Sequence, residues 1–275
     1  MVLKSPAKLN LGLSIVGRNT RGYHLIESLF WPIDLCDRVE IRAASSFKVE
    51  MSAPPSFGLL PSSTDNLVSR ACKLANLDSW DIRIEKEIPL GAGLGGGSSN
   101  AGTVLRALAP GFPATKAAAL GADIPFFLSP RPSWVTGIGE EIQPLRVEGL
   151  SSLKFLLVLP EWPIPTAGVF AAYRQLQTGF SSSCRPFGSG VLDRESLLAY
   201  LSQARNDLEP AIVSEYPKIA NILSSLRELP CVYAGVSGTG STCFAVFEEK
   251  IDKEILNTYR WESCRSVLVN SYSDE

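Results

Sequence analysis

The chain has 275 residues, 45% of them hydrophobic and 20% charged, with 26 basic against 28 acidic side chains for a net charge of −2. This length buries a large core and lies near the size at which chains divide into two domains. The near-balance of charge excludes a broad nucleic-acid or membrane-surface role and leaves room for a small, local basic site. Lys4 and Lys8 interrupt the N-terminus where a signal peptide needs an apolar stretch, and no run reaches the length of a membrane span, "FLLVL" (155–159) being the nearest. Cys36, Cys72, Cys184, Cys231, Cys243 and Cys264 are scattered with no C-x-x-C pair, a pattern that predicts reduced thiols in a cytoplasm and no structural zinc.

From residue 8 the chain alternates, Leu9, Leu11, Leu13 and Ile15 on one face and Lys8, Asn10, Gly12 and Ser14 on the other. Period two predicts a strand with one buried face, and Lys8 and Asn10 point the same way. "DRVEIRA" (37–43) and "FKVEM" (47–51) predict further short strands. "TDNLVSRACKLANL" (64–77) carries Leu67, Ala71, Leu74 and Ala75 at helical spacing, with Thr64 or Asp65 as the N-cap. "WDIRIEKEI" (80–88) alternates again with Ile82, Ile84 and Ile88 inward. One wet face places it in an antiparallel or mixed sheet.

Ser98 or Ser99 is expected to cap a helix that Pro110 stops, and a short helix at 115–120 ends at Gly121. Pro125 pushes Ile124 towards an extended conformation. Residues 137–145 read as a turn and strand that close a first domain near residue 148. A new strand opens at 153–160, and helical patterns follow at 169–176, 194–204 and 218–226. Residues 178–190 read as a surface loop. Two late strands, "CVYAGVS" and "CFAVFEE", flank a second glycine loop, "SGTGS". The mixed order of strands and helices predicts an α+β fold in two domains, 1–148 and 149–275.

"KEIPLGAGLGGGSSNAGTV" (86–104) holds five glycines among the seven residues from 91 to 97. Gly91, Gly93 and Gly96 match the dinucleotide fingerprint G-x-G-x-x-G, but the preceding strand is amphipathic and Lys116 stands where a ribose-binding acid is wanted. Gly91, Gly96 and Ser98 match the P-loop pattern, but Gly97 replaces the lysine that reaches the outer phosphates. The physics common to both patterns remains. Glycines let backbone N–H groups approach phosphate, and a helix N-terminus supplies free donors and the positive end of a dipole. Ser98 and Ser99 add hydroxyls for phosphate or magnesium. The alternative is a plain glycine-rich turn; if the loop holds a nucleoside triphosphate, its cation comes from elsewhere in the chain.

"SPAKLNLGL", "IPLGAGLGGGSSNA" and "GVSGTGSTCF", in this order, resemble the three motifs of the GHMP kinase superfamily. "RGYHLIESLF", "TDNLV", "LGADIPFF", "IPT" and "NDLE" extend the resemblance to a branch acting on a cytidine diphosphate-linked polyol of the non-mevalonate isoprenoid route. The pieces together span most of the chain. The resemblance implies an N-terminal domain like domain 2 of ribosomal protein S5, a ferredoxin-like C-terminal domain, and transfer of the γ-phosphate of ATP, with Mg2+, to a substrate hydroxyl.

It further implies that Asp123 is the general base and Lys8 its electrostatic partner. The pairing is chemically sensible: a lone acid in an apolar setting is a poor anion, and a lysine on a neighbouring strand stabilises its charge. ATP would be held by Pro89, Leu90, Gly91, Ala92, Gly93, Leu94, Gly95, Gly96, Gly97, Ser98 and Ser99, with Asn66, Leu67 and Lys86 near the adenine. Asn66 could equally cap the following helix. Asn10 would bind the substrate hydroxyl, and Tyr23, His24 and Phe170 would surround the cytosine, since aromatic rings suit a flat base and histidine offers its edge a donor and an acceptor. Thr166 is a further substrate contact. Magnesium would come with ATP, near Ser98, with no dedicated protein site.

No cysteine is read as catalytic, and the expected partner is a small molecule, with no nucleic acid or membrane, for a monomer or weak homodimer. One departure stands out. Only 22 residues separate Asn100 from Asp123, fewer than the superfamily branch usually has, so trimmed peripheral helix is expected between two intact motifs. Rival readings are another GHMP kinase acting on mevalonate, homoserine or a sugar, and a catalytically silent nucleotide-binding protein.

Overall fold

The computed structural model describes residues 1–149, 153–183, 186–188, 190–248, 254 and 260–273. Strands β1 (Val2–Asn10) and β2 (Ser14–Arg18) run antiparallel to successive stretches of one 20-residue strand, β3 (His24–Ala43), pairing Asn10 with Phe30 and Arg18 with His24. With β4 (Lys48–Ser52), β5 (Trp80–Glu85), β6 (Ser133–Thr136) and β7 (Glu141–Pro144) they form a seven-stranded sheet, parallel only between β4 and β5. Helices α1 (Leu67–Leu74), α2 (Gly96–Leu108), α3 (Ala114–Leu120) and α4 (Ile124–Phe127) belong to the same half. Val68, Ala71, Val104 and Leu105 pack on Val39, Ile41, Ile82 and Ile84, and this burial is what holds α1 and α2 to the sheet.

The two-residue strands β8 (Arg146–Val147) and β10 (Val191–Leu192) pair with each other across the expected boundary at 148. Residues 150–152, beside that boundary, lie outside the described residues. Beyond it come β9 (Lys154–Pro160), α5 (Thr166–Gln175), α6 (Arg194–Leu201), α7 (Glu209–Glu215), α8 (Pro217–Arg227), β11 (Tyr233–Val236), β12 (Cys243–Phe247) and β13 (Cys264–Asn270). The C-terminal strands make an antiparallel sheet in the order β11-β12-β9-β13. Both its faces are covered. Leu156 and Val158 of β9 meet Ile219, Ile222 and Leu226, while Phe155 and Leu157 meet Leu9, Leu29 and Trp31 of the N-terminal half. The unbroken apolar run 155–159 is the signature of such a two-sided strand.

Several local expectations are corrected. Thr64 and Asp65 do not cap α1; Asn66 does, its side chain accepting from the Ser69 N–H. Neither Ser98 nor Ser99 caps α2, which begins earlier, at Gly96, after a left-handed Gly95. Ile124 is helical and not extended, because Pro125 falls in the first turn of α4, where its missing N–H costs nothing. The alternating stretch from residue 8 is two strands, since the chain leaves the sheet at residues 11–13, where Leu13 bridges to Asn206. Its polar face is not wet: Lys8 and Asn10 are buried. β13, α7 and most of the long β3 carry no strong periodicity and were not expected.

The shortened stretch between Asn100 and Asp123 holds the rest of α2 and, after it, only the seven-residue α3, yet α4 still docks on α2. Gly102 permits that docking, because a Cβ there would stand 2.5 Å from Phe127 Cβ and 2.9 Å from Phe127 C. Gly102→Ala is expected to destabilise the fold by about 1–3 kcal/mol through overpacking against backbone that cannot swing aside. Thermal unfolding checks this: a fall in Tm of several degrees is expected, and an unchanged Tm would mean that α4 is loosely held.

Candidate active site

β1 carries Lys8 to the middle of the glycine-rich segment. The Lys8 N–H donates to Leu94 O at 3.0 Å, and its aliphatic stem lies under Gly95, where an added Cβ would stand 3.3 Å from Lys8 Cγ. The ammonium sits 4.8 Å from the centroid of the Phe30 ring, donates to Asn10 Oδ1, and lies 3.9 Å from Asp123 Oδ2. Burial pulls the Lys8 pKa below its ordinary value, and the Asp123 charge offsets part of that fall. A cation arriving from a distant strand is what the missing P-loop lysine required.

Asp123 precedes α4 with φ −79° and ψ −14°, and its carboxylate makes no capping bond. Its side chain is 31% exposed, so the acid expected to be buried opens to solvent beside the glycine loop. A Cβ on Gly139 would come within 3.4 Å of Asp123 Oδ1 and 4.0 Å of Ile26 Cδ1, which puts the carboxylate close to the start of β3.

The second glycine loop, 237–241, closes against the first. Ser237 Oγ donates to Gly93 O at 2.9 Å, the Thr242 N–H donates to Ala92 O at 3.2 Å, and the Asn10 N–H donates to Ser237 Oγ at 3.2 Å. Gly93 makes this contact possible. Its φ is +76°, and a Cβ there would stand 2.1 Å from Ser237 O. Asn206, from the "NDLE" stretch, donates to Val236 O at 3.0 Å and Gly238 O at 2.7 Å, fixing the loop from behind. Its role had no signal in the sequence beyond the motif itself. Thr166 Oγ1 lies 3.1 Å from Thr239 Oγ1, which ties the loop to α5.

α5 in turn holds Phe170 against His24, with ring centroids 5.0 Å apart and planes 13° from parallel. Tyr173 meets His24 edge-on at 5.6 Å. Arg18 Nη2 lies 3.2 Å from His24 Nε2. Tyr23 stands exposed next to them. The structure therefore brings His24 and Phe170 together and adds Tyr173 and Arg18, while Tyr23 precedes His24 in the chain and Thr166 lies one turn before Phe170 on α5. A bare helical pattern could not single out Tyr173, while Arg18 is recoverable only from the β2–β3 register.

Other expected site residues are engaged elsewhere. The buried Asn10 amide accepts from Lys8 and donates to Ser28 Oγ at 3.0 Å, so its side chain orients the ammonium. Lys86 is buried against Asp37 and donates to Asn100 Oδ1 at 2.9 Å, with its Nζ 3.2 Å from where a Gly96 Cβ would stand. Asp37 also accepts from the Glu87 and Ile88 N–H groups and from Asn100 Nδ2, which makes it the anchor of the whole segment. The Asn66 side chain is taken up by its cap and by donation to Ser62 O and Ser63 O. Leu67 lies against the loop, 3.5 Å from where a Gly97 Cβ would be. Ser99 is fully buried, donating to Pro6 O at 2.6 Å, and only Ser98 remains partly exposed. Five cysteines fall among the described residues, all free thiols, with burial raising Cys72 to about 12 and Cys264 to about 11; Cys184 lies outside the described residues. No helix is long and apolar enough to cross a membrane, a statement made of the described residues.

These residues fit a nucleoside triphosphate. The glycine segment leads into the free N–H groups of the first turn of α2, and the Lys8 ammonium stands beside it.

Sequence families agree with that geometry. Residues 66–126 match the model of the GHMP kinases N terminal domain, and residues 192–259 match the GHMP kinases C terminal model. Those matches put the chain among the ATP-dependent small-molecule kinases of the GHMP class, and the α+β architecture expected from the sequence is the one observed. Within that class the chain is 39% identical over 245 residues to the 4-diphosphocytidyl-2-C-methyl-D-erythritol kinase of Paracoccus denitrificans (strain Pd 1222), covering 88% of this chain and 85% of that protein. It is 38% identical over 266 residues to the kinase of the same name from Methylorubrum extorquens (strain PA1), covering 90% of each. A crystal structure of 4-(cytidine 5'-diphospho)-2C-methyl-D-erythritol kinase is 30% identical with a TM-score of 0.76, covering 99% of this chain and 100% of that one. The chain belongs to the 4-diphosphocytidyl-2-C-methyl-D-erythritol kinase family. The Methanococcus jannaschii mevalonate kinase, 16% identical with a TM-score of 0.61 and covering 99% of this chain and 98% of that one, shares the fold.

Proposed function

We propose that this kinase transfers the γ-phosphoryl group of ATP to the 2-hydroxyl of 4-diphosphocytidyl-2-C-methyl-D-erythritol, a step of the non-mevalonate isoprenoid precursor pathway. The observation that carries the proposal is the Lys8–Asp123 pair, 3.9 Å apart, with the glycine loop on one side and the His24–Phe170 stack along β3 and α5 on the other. Asp123, half-open and uncapped, accepts the proton of the substrate hydroxyl as that oxygen attacks phosphorus. Lys8 stands beside the carboxylate and balances the charge that grows on the transferring group. Asn10 aims Lys8. Backbone N–H groups at the start of α2 hold the phosphates, Leu67 with the Asn66 backbone borders the nucleotide, and Lys86 braces the loop from below. No covalent phosphoenzyme is involved, since Asp123 acts as base and not as nucleophile.

Magnesium bound with the phosphates would add charge neutralisation, and Ser98 is the hydroxyl available to it, because Ser99 is already engaged. His24, Phe170 and Tyr23 receive the cytosine, and Thr166 lies at the join between base pocket and second glycine loop. The near-balanced charge and free thiols suit a cytoplasmic enzyme, monomeric or weakly dimeric, with no nucleic-acid or membrane partner.

A competition assay tests the substrate. With ATP, phosphorylation of the cytidine diphosphate compound is expected in a mixture that also holds mevalonate, homoserine and galactose. Phosphorylation of one of these and not of the cytidine compound would overturn the reading.

A further inference from the structure

The antiparallel register sets Arg18 directly across from His24, and Arg18 Nη2 approaches His24 Nε2 to 3.2 Å. A guanidinium only donates hydrogen bonds and keeps its charge at every pH an enzyme meets. His24 Nε2 must therefore accept, which requires a neutral ring with its proton on Nδ1. Phe170 covers one face of the ring and Tyr173 meets it edge-on. Nδ1 finds no hydrogen-bond partner among the described residues, which leaves that edge for a ligand. The other charged group acting on the ring is Arg174, on α5. Burial first, then Arg18 and Arg174, hold the imidazole below its ordinary range, so the ring stays neutral near pH 7.

We infer that Arg18 is a positioning residue that fixes the tautomer of His24, so that the ring offers the substrate base a single donor, Nδ1–H. The sequence alone left histidine with one donor and one acceptor to offer. Arg18 occupies the acceptor. The consequence for selectivity rests on the cytidine-linked substrate proposed above. N3 of cytosine is an acceptor and matches a lone donor, whereas N3–H of uracil is itself a donor and opposes it. O2 is common to both bases and C4 carries a donor amino group in cytosine but an acceptor oxygen in uracil, so the lone donor selects cytosine where it meets N3. Arg18 thereby acts on base choice through His24 without touching the reacting atoms.

His24 is the only histidine in the chain, so a long-range 1H–15N correlation spectrum of the 15N-labelled full-length protein shows one imidazole. The expected spectrum at pH 7 has Nδ1 protonated and Nε2 bare, and the ring titrates below the ordinary 6.5. Arg18 is exposed, so Arg18→Met is expected to fold. In that variant the proton moves to Nε2 or exchanges between the two nitrogens, and the titration midpoint rises. Arg18→Lys, which retains a cationic donor, restores the wild-type tautomer. In turnover, Arg18→Met lowers the preference in kcat/KM for the cytidine compound over its uridine counterpart by about tenfold, through KM with kcat kept. Nε2–H in the wild type, or an Arg18→Met spectrum identical to wild type, would overturn the inference. If neither compound is turned over, the proposed substrate fails, while the spectrum still decides the role of Arg18.

Discussion

Asp123→Asn is expected to lower kcat by about 10²–10⁴-fold while ATP and substrate bind as before. The amide has the shape of the carboxylate but cannot accept the hydroxyl proton. Asp123 makes no capping bond, so the start of α4 loses nothing by the change. A second effect follows from the neighbour. Burial lowers the Lys8 pKa, and Asp123 is the group that raises it again. Removing that negative charge lets the Lys8 pKa fall further, so the ammonium is lost at a lower pH in the variant than in the wild type. ATP affinity measured against pH checks the sign: its alkaline decline shifts to lower pH in Asp123→Asn. Unchanged kcat would remove Asp123 from its role, and an alkaline limb that stays in place would separate Lys8 from Asp123 electrostatically.

Gly93→Ala is expected to separate the two glycine loops. With φ at +76° the new methyl group meets left-handed backbone strain of about 1–2 kcal/mol. It also falls 2.1 Å from Ser237 O and 3.0 Å from Gly240 O, backbone atoms that must shift to make room. The Ser237 to Gly93 hydrogen bond breaks with that shift, and the loop that passes Asn10 and Lys8 moves with it. A displacement of about 1 Å in such positioning costs on the order of 10²-fold in rate. kcat/KM for both substrates measures this. Full activity in Gly93→Ala would show that closure of the second loop is not needed for transfer.

The sequence exposed the chemistry more readily than the architecture around it. Lys8 and Asn10 share a face because strands alternate, and the missing lysine at Gly97 already demanded a cation from elsewhere. What alternation could not reveal was that this polar face is enclosed, because burial depends on the glycine loop and α4 arriving from a hundred residues away. Lys86 illustrates the same limit. The family resemblance implies a place near the nucleotide, while its partner Asp37 lies on β3, and only the folded chain shows the pair. β13 escaped notice since its exposed and half-buried positions follow no clean period. Asn66 is one of three polar residues that could cap α1, and the cap of α2 falls at Gly95, a few residues before Ser98 and Ser99, because several polar or flexible residues adjoin each helix start.

The most direct test of phosphoryl transfer between the glycine loop and the base pocket is a crystal structure with a non-hydrolysable ATP analogue and the cytidine diphosphate substrate bound together. The expected result places the substrate 2-hydroxyl between the γ-phosphorus and the Asp123 carboxylate, with Lys8 beside both and the cytosine against His24 and Phe170. A cytosine bound away from His24, or a group other than that hydroxyl in line with the γ-phosphorus, would contradict it.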